Sequence, residues 1–237
     1  MKWFVGWDWR DDLAFKVFER SLRAHSTMPL EVIPIFDREL RKAGLYWRSY
    51  RVDRDGQMWD DRDGKPFSTA FSFTRFAVPL MCDYADEWVV FSDPDMLVRV
   101  DIAKLFDQID KTKAVYCVKH EHHPKEESKI DGVLQQPYRR KNWSSLMVLN
   151  PSRCKTLTKY DLNNASGVEL HSFTWIDDAM IGGLTESWNW LEGYSPPEIV
   201  PDIVHYTRGT PDFPGYENSA YADEWRSYLG VRKQKAA

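Results

Sequence analysis

The chain has 237 residues, a formal net charge of −4 and a hydrophobic content of 43%. This length fits a single α/β domain, and the apolar content is enough for a sizeable core. The negative charge argues against a nucleic-acid or anionic-membrane partner, and no apolar run reaches the ~18 residues that a transmembrane helix needs. An acid at position 8 comes too early for a secretory signal. The three cysteines are widely spaced, which fits reduced thiols, so we expect a cytoplasmic protein.

Apolar periodicity predicts alternating strands and helices along the chain. The predicted strands cover residues 2–7, 31–36, 88–91, 113–118, 145–149 and 199–206. The predicted helices cover 11–25, 37–43, 68–84, 102–109 and 177–184, and another begins at 221. Residues 51–66 are predicted as a surface loop and 119–141 as a long polar excursion. This alternation predicts one α/β domain with a mostly parallel central sheet and helices on both faces.

The most informative motif is the acid turn Ser92-Asp93-Pro94-Asp95, which follows the apolar run 88–91. Ligands of open α/β sheets bind outside the carboxyl ends of the strands, so this turn is predicted to lie at a site. Two carboxylates this close repel each other unless a cation lies between them, and their hard oxygens suit Mg²⁺ or Mn²⁺. On its own the motif is weak, because two surface acids around a proline turn also arise by chance.

A second motif follows the last predicted strand. Imidazole is an acceptable ligand for Mn²⁺, so His205 can complete a metal site begun by Asp93 and Asp95. Arg208 and the backbone around Gly209 suit diphosphate oxygens, because glycine allows close approach. The alternative interpretation is a capped strand end with a hydrogen-bonded histidine.

The order and spacing of these pieces resemble glycosyltransferase family 8, a retaining family with the GT-A fold, over nearly the whole chain. The matching segments are Val5-Gly6-Trp7-Asp8, Ser72-Phe73-Thr74-Arg75-Phe76, Asp93-Pro94-Asp95, Lys141 to Asn150, Thr174 to Met180 and His205 to Gly209. The chain departs from the family pattern in places. Asp11 stands where an aromatic residue is usual, Ser145 replaces a glycine, and no lysine follows Gly209, so Arg208 would supply that charge.

The resemblance implies a divalent ion, Mn²⁺ or Mg²⁺, on Asp93, Asp95 and His205. It assigns donor binding to Gly6, Asp8, Arg75, Ser92, Asp93, Arg208 and Gly209, and the reacting centre to Asp177, Asp178 and Arg75. The implied reaction moves a hexose, with retention, from a nucleotide sugar, usually a UDP-sugar, to a glycan, lipid-linked or other small acceptor. Residues 1–100 would form the nucleotide-binding half and 101–237 the sugar and acceptor half. Whether Asp177 or Asp178 is a nucleophile or only stabilises an oxocarbenium-like state stays open.

Two other functions remain open. A nucleotidyltransferase would need a Gly-rich phosphate loop after the first strand, and residues 6–10 do not form one. A non-catalytic carbohydrate-binding protein would use the 11 tryptophans but would not need the Asp93, Asp95 and His205 set. The run His120-Glu121-His122-His123 is interpreted as a solvated loop rather than a metal cluster. It lies in a candidate lid or acceptor rim over 119–140.

Overall fold

The computed structural model describes residues 1–121 and 140–230. Its strands are β1 (Lys2–Gly6), β2 (Glu31–Ile35), β3 (Tyr50–Val52), β4 (Met58–Asp60), β5 (Pro66–Phe67), β6 (Val89–Ser92), β7 (Met96–Val98), β8 (Val115–Val118), β9 (Leu146–Leu149), β10 (Ile181–Leu184), β11 (Trp190–Leu191) and β12 (Ile203–His205). Its α-helices are α1 (Asp12–Ala24), α2 (Asp37–Lys42), α3 (Val78–Met81), α4 (Lys159–Asn164), α5 (Gly167–His171) and α6 (Ala222–Ser227). Short 3₁₀ helices include Trp9–Asp11, Thr74–Ala77, Ile102–Gln108, Trp143–Ser145, Asp178–Met180 and Glu186–Asn189. No helix in these two ranges is both long enough and apolar enough to cross a membrane.

The central sheet has six strands in the order β10-β8-β9-β6-β1-β2. β1 is parallel to β2 and β6, and β10 is parallel to β8, whereas β9 is antiparallel to β6 and β8. Five strands therefore point the same way, which confirms the predicted mostly parallel sheet. Their carboxyl ends meet at one edge, and the amino end of β9 joins them there.

Alternate residues of each central strand enter two different apolar cores, as the two-residue side-chain period of a strand requires. In β6, Val89 and Phe91 pack with helices α2, α3, α4 and α5, whereas Val90 packs with α1 and the 102–108 helix. Helices thus cover both faces of the sheet, as predicted. The continuous apolar strands of the sequence reflect this burial on both sides.

Two segments before β6 differ from the sequence prediction. Residues 51–66, predicted as a loop, belong to the small antiparallel sheet β3-β4-β5, and a buried ion pair of 2.5 Å joins Arg48 to Asp60 there. The predicted helix 68–84 is reduced to a 3₁₀ turn and the four-residue α3, with Pro79 near its start. Proline fits the first turn of a helix but cannot continue one from upstream, which explains the shortening.

The predicted helix 177–184 is also wrong. Only Asp178–Met180 is helical, and the following Ile-Gly-Gly-Leu segment is the edge strand β10. Two consecutive glycines weaken a helix. Gly182 lies opposite Tyr116 of β8, and a Cβ on Gly182 would lie 2.3 Å from the Tyr116 ring. The glycine is therefore needed to make room for that ring.

Candidate metal and donor site

The acid turn lies where the chain passes from one sheet to another. β6 of the central sheet ends at Ser92, and β7 of a three-stranded sheet, ordered β11-β12-β7, begins at Met96. The backbone N–H of Asp93 donates to the carbonyl of Ser145 over 2.8 Å, and the carbonyl of Asp95 accepts from Tyr206 N–H over 2.9 Å. Main-chain bonds thus fix both ends of the turn.

Strand pairing brings the histidine to this turn. β12 is antiparallel to β7, and its last residue, His205, is the register partner of Met96. The imidazole Nε2 lies 3.3 Å from Asp95 Oδ1 and 4.0 Å from Asp93 Oδ2. One ligand atom from each of the three side chains falls within 4.8 Å of the others. Residues that are far apart in the sequence therefore meet at one point, as predicted.

Two members of the cluster are buried, since the His205 and Asp93 side chains are only 3% and 11% exposed, whereas the Asp95 side chain is 23% exposed. Burial raises the pKa of Asp93 against the opposing charge of Arg75, and the nearby charge of Asp95 raises it further. Buried carboxylates that disfavour each other's charge form a site that gains from a cation.

Arg75 is the fixed cation beside this cluster. Its Nη1 lies 2.9 Å from Asp93 Oδ1 and donates to the Ser144 carbonyl over 3.1 Å. Ser144 in turn contacts the partly buried His171 through a 2.8 Å bond between Oγ and Nδ1. Arg75 thus connects the acid turn to the segment that enters β9, and its guanidinium is held by protein groups.

Asp8, predicted to bind the nucleotide, is buried and already bonded. It accepts from Arg10 side-chain and backbone N–H groups and from the Ala70 N–H. Burial alone would raise the pKa of Asp8, but these bonds outweigh it and lower that pKa. The neighbouring Asp11 behaves in the opposite way. Burial and the charge of Asp95 raise the pKa of Asp11 to about 8.

Two other predicted donor residues have clear packing roles. A Cβ on Gly6 would lie 2.4 Å from the Phe71 ring, so the glycine makes room for that side chain. The Ser92 hydroxyl is fully buried and accepts a 2.8 Å bond from the Trp3 indole. Both residues therefore serve the sheet that carries the site.

Arg208 and Gly209 lie just beyond His205. The Arg208 guanidinium carbon lies 6.0 Å from the centre of the Tyr194 ring and 5.7 Å from that of Tyr216. Gly209 has φ 153°, and a Cβ there would lie 2.8 Å from the Tyr216 ring. The glycine thus permits a close approach that keeps the arginine between two tyrosines.

Asp177 and Asp178 are bonded to residues outside the cluster. Asp177 accepts from the Ala179 N–H and starts the short 178–180 helix. The Asp178 side chain is 73% exposed and pairs with Arg140 over 2.5 Å.

Sequence reasoning missed one buried residue and misplaced another. Asn189, fully buried, bonds His205 through a 2.8 Å contact between Oδ1 and Nδ1, and no sequence signal pointed to it. His120 is not solvated: its side chain is 8% exposed and lies 4.0 Å from Glu186. Burial lowers the pKa of His120 to about 4, and the proximity of His205 acts in the same direction. His122 and His123 of the same run, and residues 122–139 of the candidate lid or acceptor rim, lie outside the described residues.

Solved structures of glycosyltransferases share this architecture. WbbM, a bifunctional glycosyltransferase, aligns over 97% of this chain and 49% of its own, with a TM-score of 0.65 and 13% identity. GlyE of Streptococcus pneumoniae TIGR4 aligns over 97% of this chain and 60% of its own, with a TM-score of 0.59 and 14% identity. The galactosyltransferase LgtC, solved with donor and acceptor sugar analogues, aligns over 97% and 95%, with a TM-score of 0.59 and 11% identity. The chain thus spans about half of WbbM, and these likenesses show that it has the GT-A fold.

No protein-family model matches the sequence. Protein CDI of Arabidopsis thaliana is 41% identical over 229 residues, which cover 94% of this chain and 83% of that protein. Identity of this extent cannot come from a shared fold alone. The chain belongs to the same family as Protein CDI.

Proposed function

We propose that this chain is a metal-dependent glycosyltransferase of the family 8 type, which moves a hexose from a UDP-sugar to a glycan, lipid-linked or other small acceptor with retention. The observation that carries the proposal is the convergence of Asp93, Asp95 and His205 at the carboxyl edge of a GT-A sheet. In open α/β sheets, that edge is where ligands bind.

The cluster fits a divalent ion. Two carboxylates and one imidazole form a mixed oxygen and nitrogen donor set that suits Mn²⁺, and of the three only Asp95 is partly exposed. When bound, the ion would supply positive charge where negative charge grows on the departing diphosphate. Arg75 keeps Asp93 in place and partly balances its charge through their 2.9 Å contact.

The remaining predicted residues are assigned to different parts of the donor sugar nucleotide. Arg208, held between two tyrosines, is assigned to the diphosphate, and Gly209 leaves room beside it. Asp8 is assigned to the ordering of the 9–11 turn at the nucleotide side, in the half formed by residues 1–100. Asp177 and Asp178 are assigned by motif register to the sugar side, and Asp178 would have to exchange its Arg140 partner to act there.

The test is a donor screen. Purified protein is incubated with a panel of UDP-sugars and Mn²⁺ without acceptor, and released UDP is measured, since transferases of this kind slowly transfer to water. We expect release from one or few donors, dependent on the metal. Calorimetry of UDP with and without Mn²⁺ separates the alternatives. Metal-independent sugar binding without UDP binding would favour a carbohydrate-binding protein, and release of pyrophosphate from a nucleoside triphosphate would favour a nucleotidyltransferase.

A further inference from the structure

The ring of His205 is held at both nitrogens, and the two partners are chemically different. Nε2 faces the carboxylate Oδ1 of Asp95 at 3.3 Å, and Nδ1 lies 2.8 Å from Oδ1 of Asn189. Both His205 and Asn189 are buried, at 2% and 0% exposure. Each contact is therefore made away from bulk water, which cannot substitute for a missing partner.

The orientation of the Asn189 amide is fixed by a third residue, Asn142. The Nδ2 of Asn189 donates to the backbone carbonyl of Asn142 over 3.1 Å. Turning the amide over would set its oxygen against that carbonyl and leave two acceptors face to face. The oxygen of Asn189 therefore faces His205. Because an amide oxygen only accepts, the 2.8 Å contact requires a proton on Nδ1, and a neutral His205 then has its lone pair on Nε2. That lone pair faces the Asp95 carboxylate, and a cation between the two would relieve this repulsion.

We propose that Asn189 is a positioning residue: it selects the Nδ1–H tautomer of His205 and so directs the Nε2 lone pair at the space shared with Asp93 and Asp95. That this lone pair serves as a metal ligand rests on the proposed function. The proton on Nδ1 does not, since it follows from the Asn142–Asn189–His205 chain of bonds. Metal-binding histidines need such a partner on the other nitrogen to fix their orientation.

The Asn142 carbonyl, which orients Asn189, belongs to a turn that also binds Arg75 and the backbone of Asp93. Asn142 has φ 64° and ψ 1°, a left-handed conformation that asparagine tolerates better than most residues. Just after it, the Ser144 carbonyl accepts from Arg75 and the Ser145 carbonyl accepts from the Asp93 N–H. One turn thus sets the positions of the histidine and of the first carboxylate relative to each other.

The experiment reads the ring protons directly by ¹⁵N NMR of histidine-labelled protein, with chelator, over a series of pH values. We expect a protonated Nδ1 in the unmodified protein. Asn189→Leu keeps a branched side chain and removes the acceptor, so Nδ1 should lose its proton and the remaining proton should lie on Nε2, towards Asp95. Asn189→Asp gives up the donor to the Asn142 carbonyl but keeps an acceptor for His205, and it should retain the proton on Nδ1.

Manganese affinity, measured by calorimetry or electron paramagnetic resonance, gives the second readout. We expect Asn189→Leu to weaken binding by about 10- to 100-fold and Asn189→Asp to stay within a few-fold. Asn150→Leu is the matched control, because Asn150 is also a buried, hydrogen-bonded asparagine but follows β9 at the far edge of the sheet. It should lower stability and leave the tautomer and the affinity unchanged.

The outcomes separate the two proposals. An Nε2–H tautomer in the unmodified protein would overturn the role of Asn189 even if manganese binds. An Nδ1–H tautomer without any manganese binding would support the role of Asn189 as the selector and overturn the metal site. If Asn189→Leu does not fold, the unmodified protein and Asn189→Asp still decide the tautomer.

Discussion

Asp95 carries the charge that a divalent ion would use most directly, because its carboxylate is closest to His205 and less deeply buried than Asp93. Asn at this position keeps the shape and removes the charge. We expect Asp95→Asn to weaken Mn²⁺ binding by more than ~100-fold, beyond the usual loss for an outer partner. Metal-free thermal stability should not fall, since a repulsion with Asp93 is relieved. Calorimetry and thermal unfolding measure both effects.

Asp107→Asn is the matched control for this variant, because Asp107 is an exposed acid on the 102–108 helix. It should leave metal affinity unchanged. If Asp95→Asn and the unmodified protein bind Mn²⁺ with equal affinity, Asp95 is not a ligand of the metal.

Asp8 tests a different role, the ordering of the turn after β1. Its pKa is lowered below the ordinary 3.8 by Arg10 and by backbone N–H groups. The charged form therefore stabilises the fold above pH 3.8, and this contribution is lost as the pH falls towards the folded-state pKa. Asp8→Asn should lower stability by about 1–3 kcal/mol at neutral pH, the usual cost of a lost charge-assisted buried bond.

The pH dependence is the distinguishing measurement for Asp8. The difference in Tm between Asp8→Asn and the unmodified protein should be constant from neutral pH down to about pH 5 and should become smaller below the ordinary pKa of 3.8. A difference that does not change with pH would mean that the Asp8 charge adds nothing to folding stability.

Among the secondary-structure elements, β10 contains two neighbouring glycines in contrasting surroundings. A Cβ at Gly182 would enter the Tyr116 ring, whereas a Cβ at Gly183 would meet nothing within 4 Å. We expect Gly182→Ala to cost about 1–3 kcal/mol of unfolding free energy through overpacking. Gly183→Ala should change it by less than ~0.5 kcal/mol. Chemical denaturation of the pair measures the difference, and similar costs would show that the Tyr116 ring can move aside.

Four strands of the central sheet, β1, β6, β8 and β9, were predictable because they are buried on both faces and read as apolar runs. β1, β2, β6, β8 and β9 all fall where the sequence predicts them. Short elements were not predictable. β7 has three residues and β11 two, too few for any periodicity, and tertiary pairing alone defines them. The two glycines of β10 carry no strand signal either, and Gly182 is needed only for the space that it leaves for the Tyr116 ring.

The candidate site was also predictable only in part. Asp93, Asp95 and His205 stand out because titratable residues directly after apolar strands are visible in a sequence. Asn189 is not visible in this way, because an asparagine in a polar loop looks the same whether it is solvated or buried. Its role depends on the convergence of two sheets, which local sequence does not encode.

For the molecule as a whole, the metal should contribute to folding stability. A ligand that binds only the folded chain adds about 2.7 kcal/mol at one hundred times its Kd, or roughly 5–10 °C in Tm for a chain of this size. We expect Mn²⁺ to raise Tm more than Mg²⁺ at equal concentration, because an imidazole ligand suits Mn²⁺ better. Chelator should reverse the shift. Equal shifts from both ions would argue that His205 is not a ligand.

The passage of the chain from β6 to β7 through the acid turn has a topological consequence. His205 returns to that turn only after more than a hundred residues, on a strand of the other sheet. An ion held by all three side chains would therefore close a very long loop and act as a removable cross-link between two sheets. The three-stranded sheet could then open only after the ion departs. Backbone amides of β7 and β12 should exchange with solvent as one unit, at a rate set by metal release.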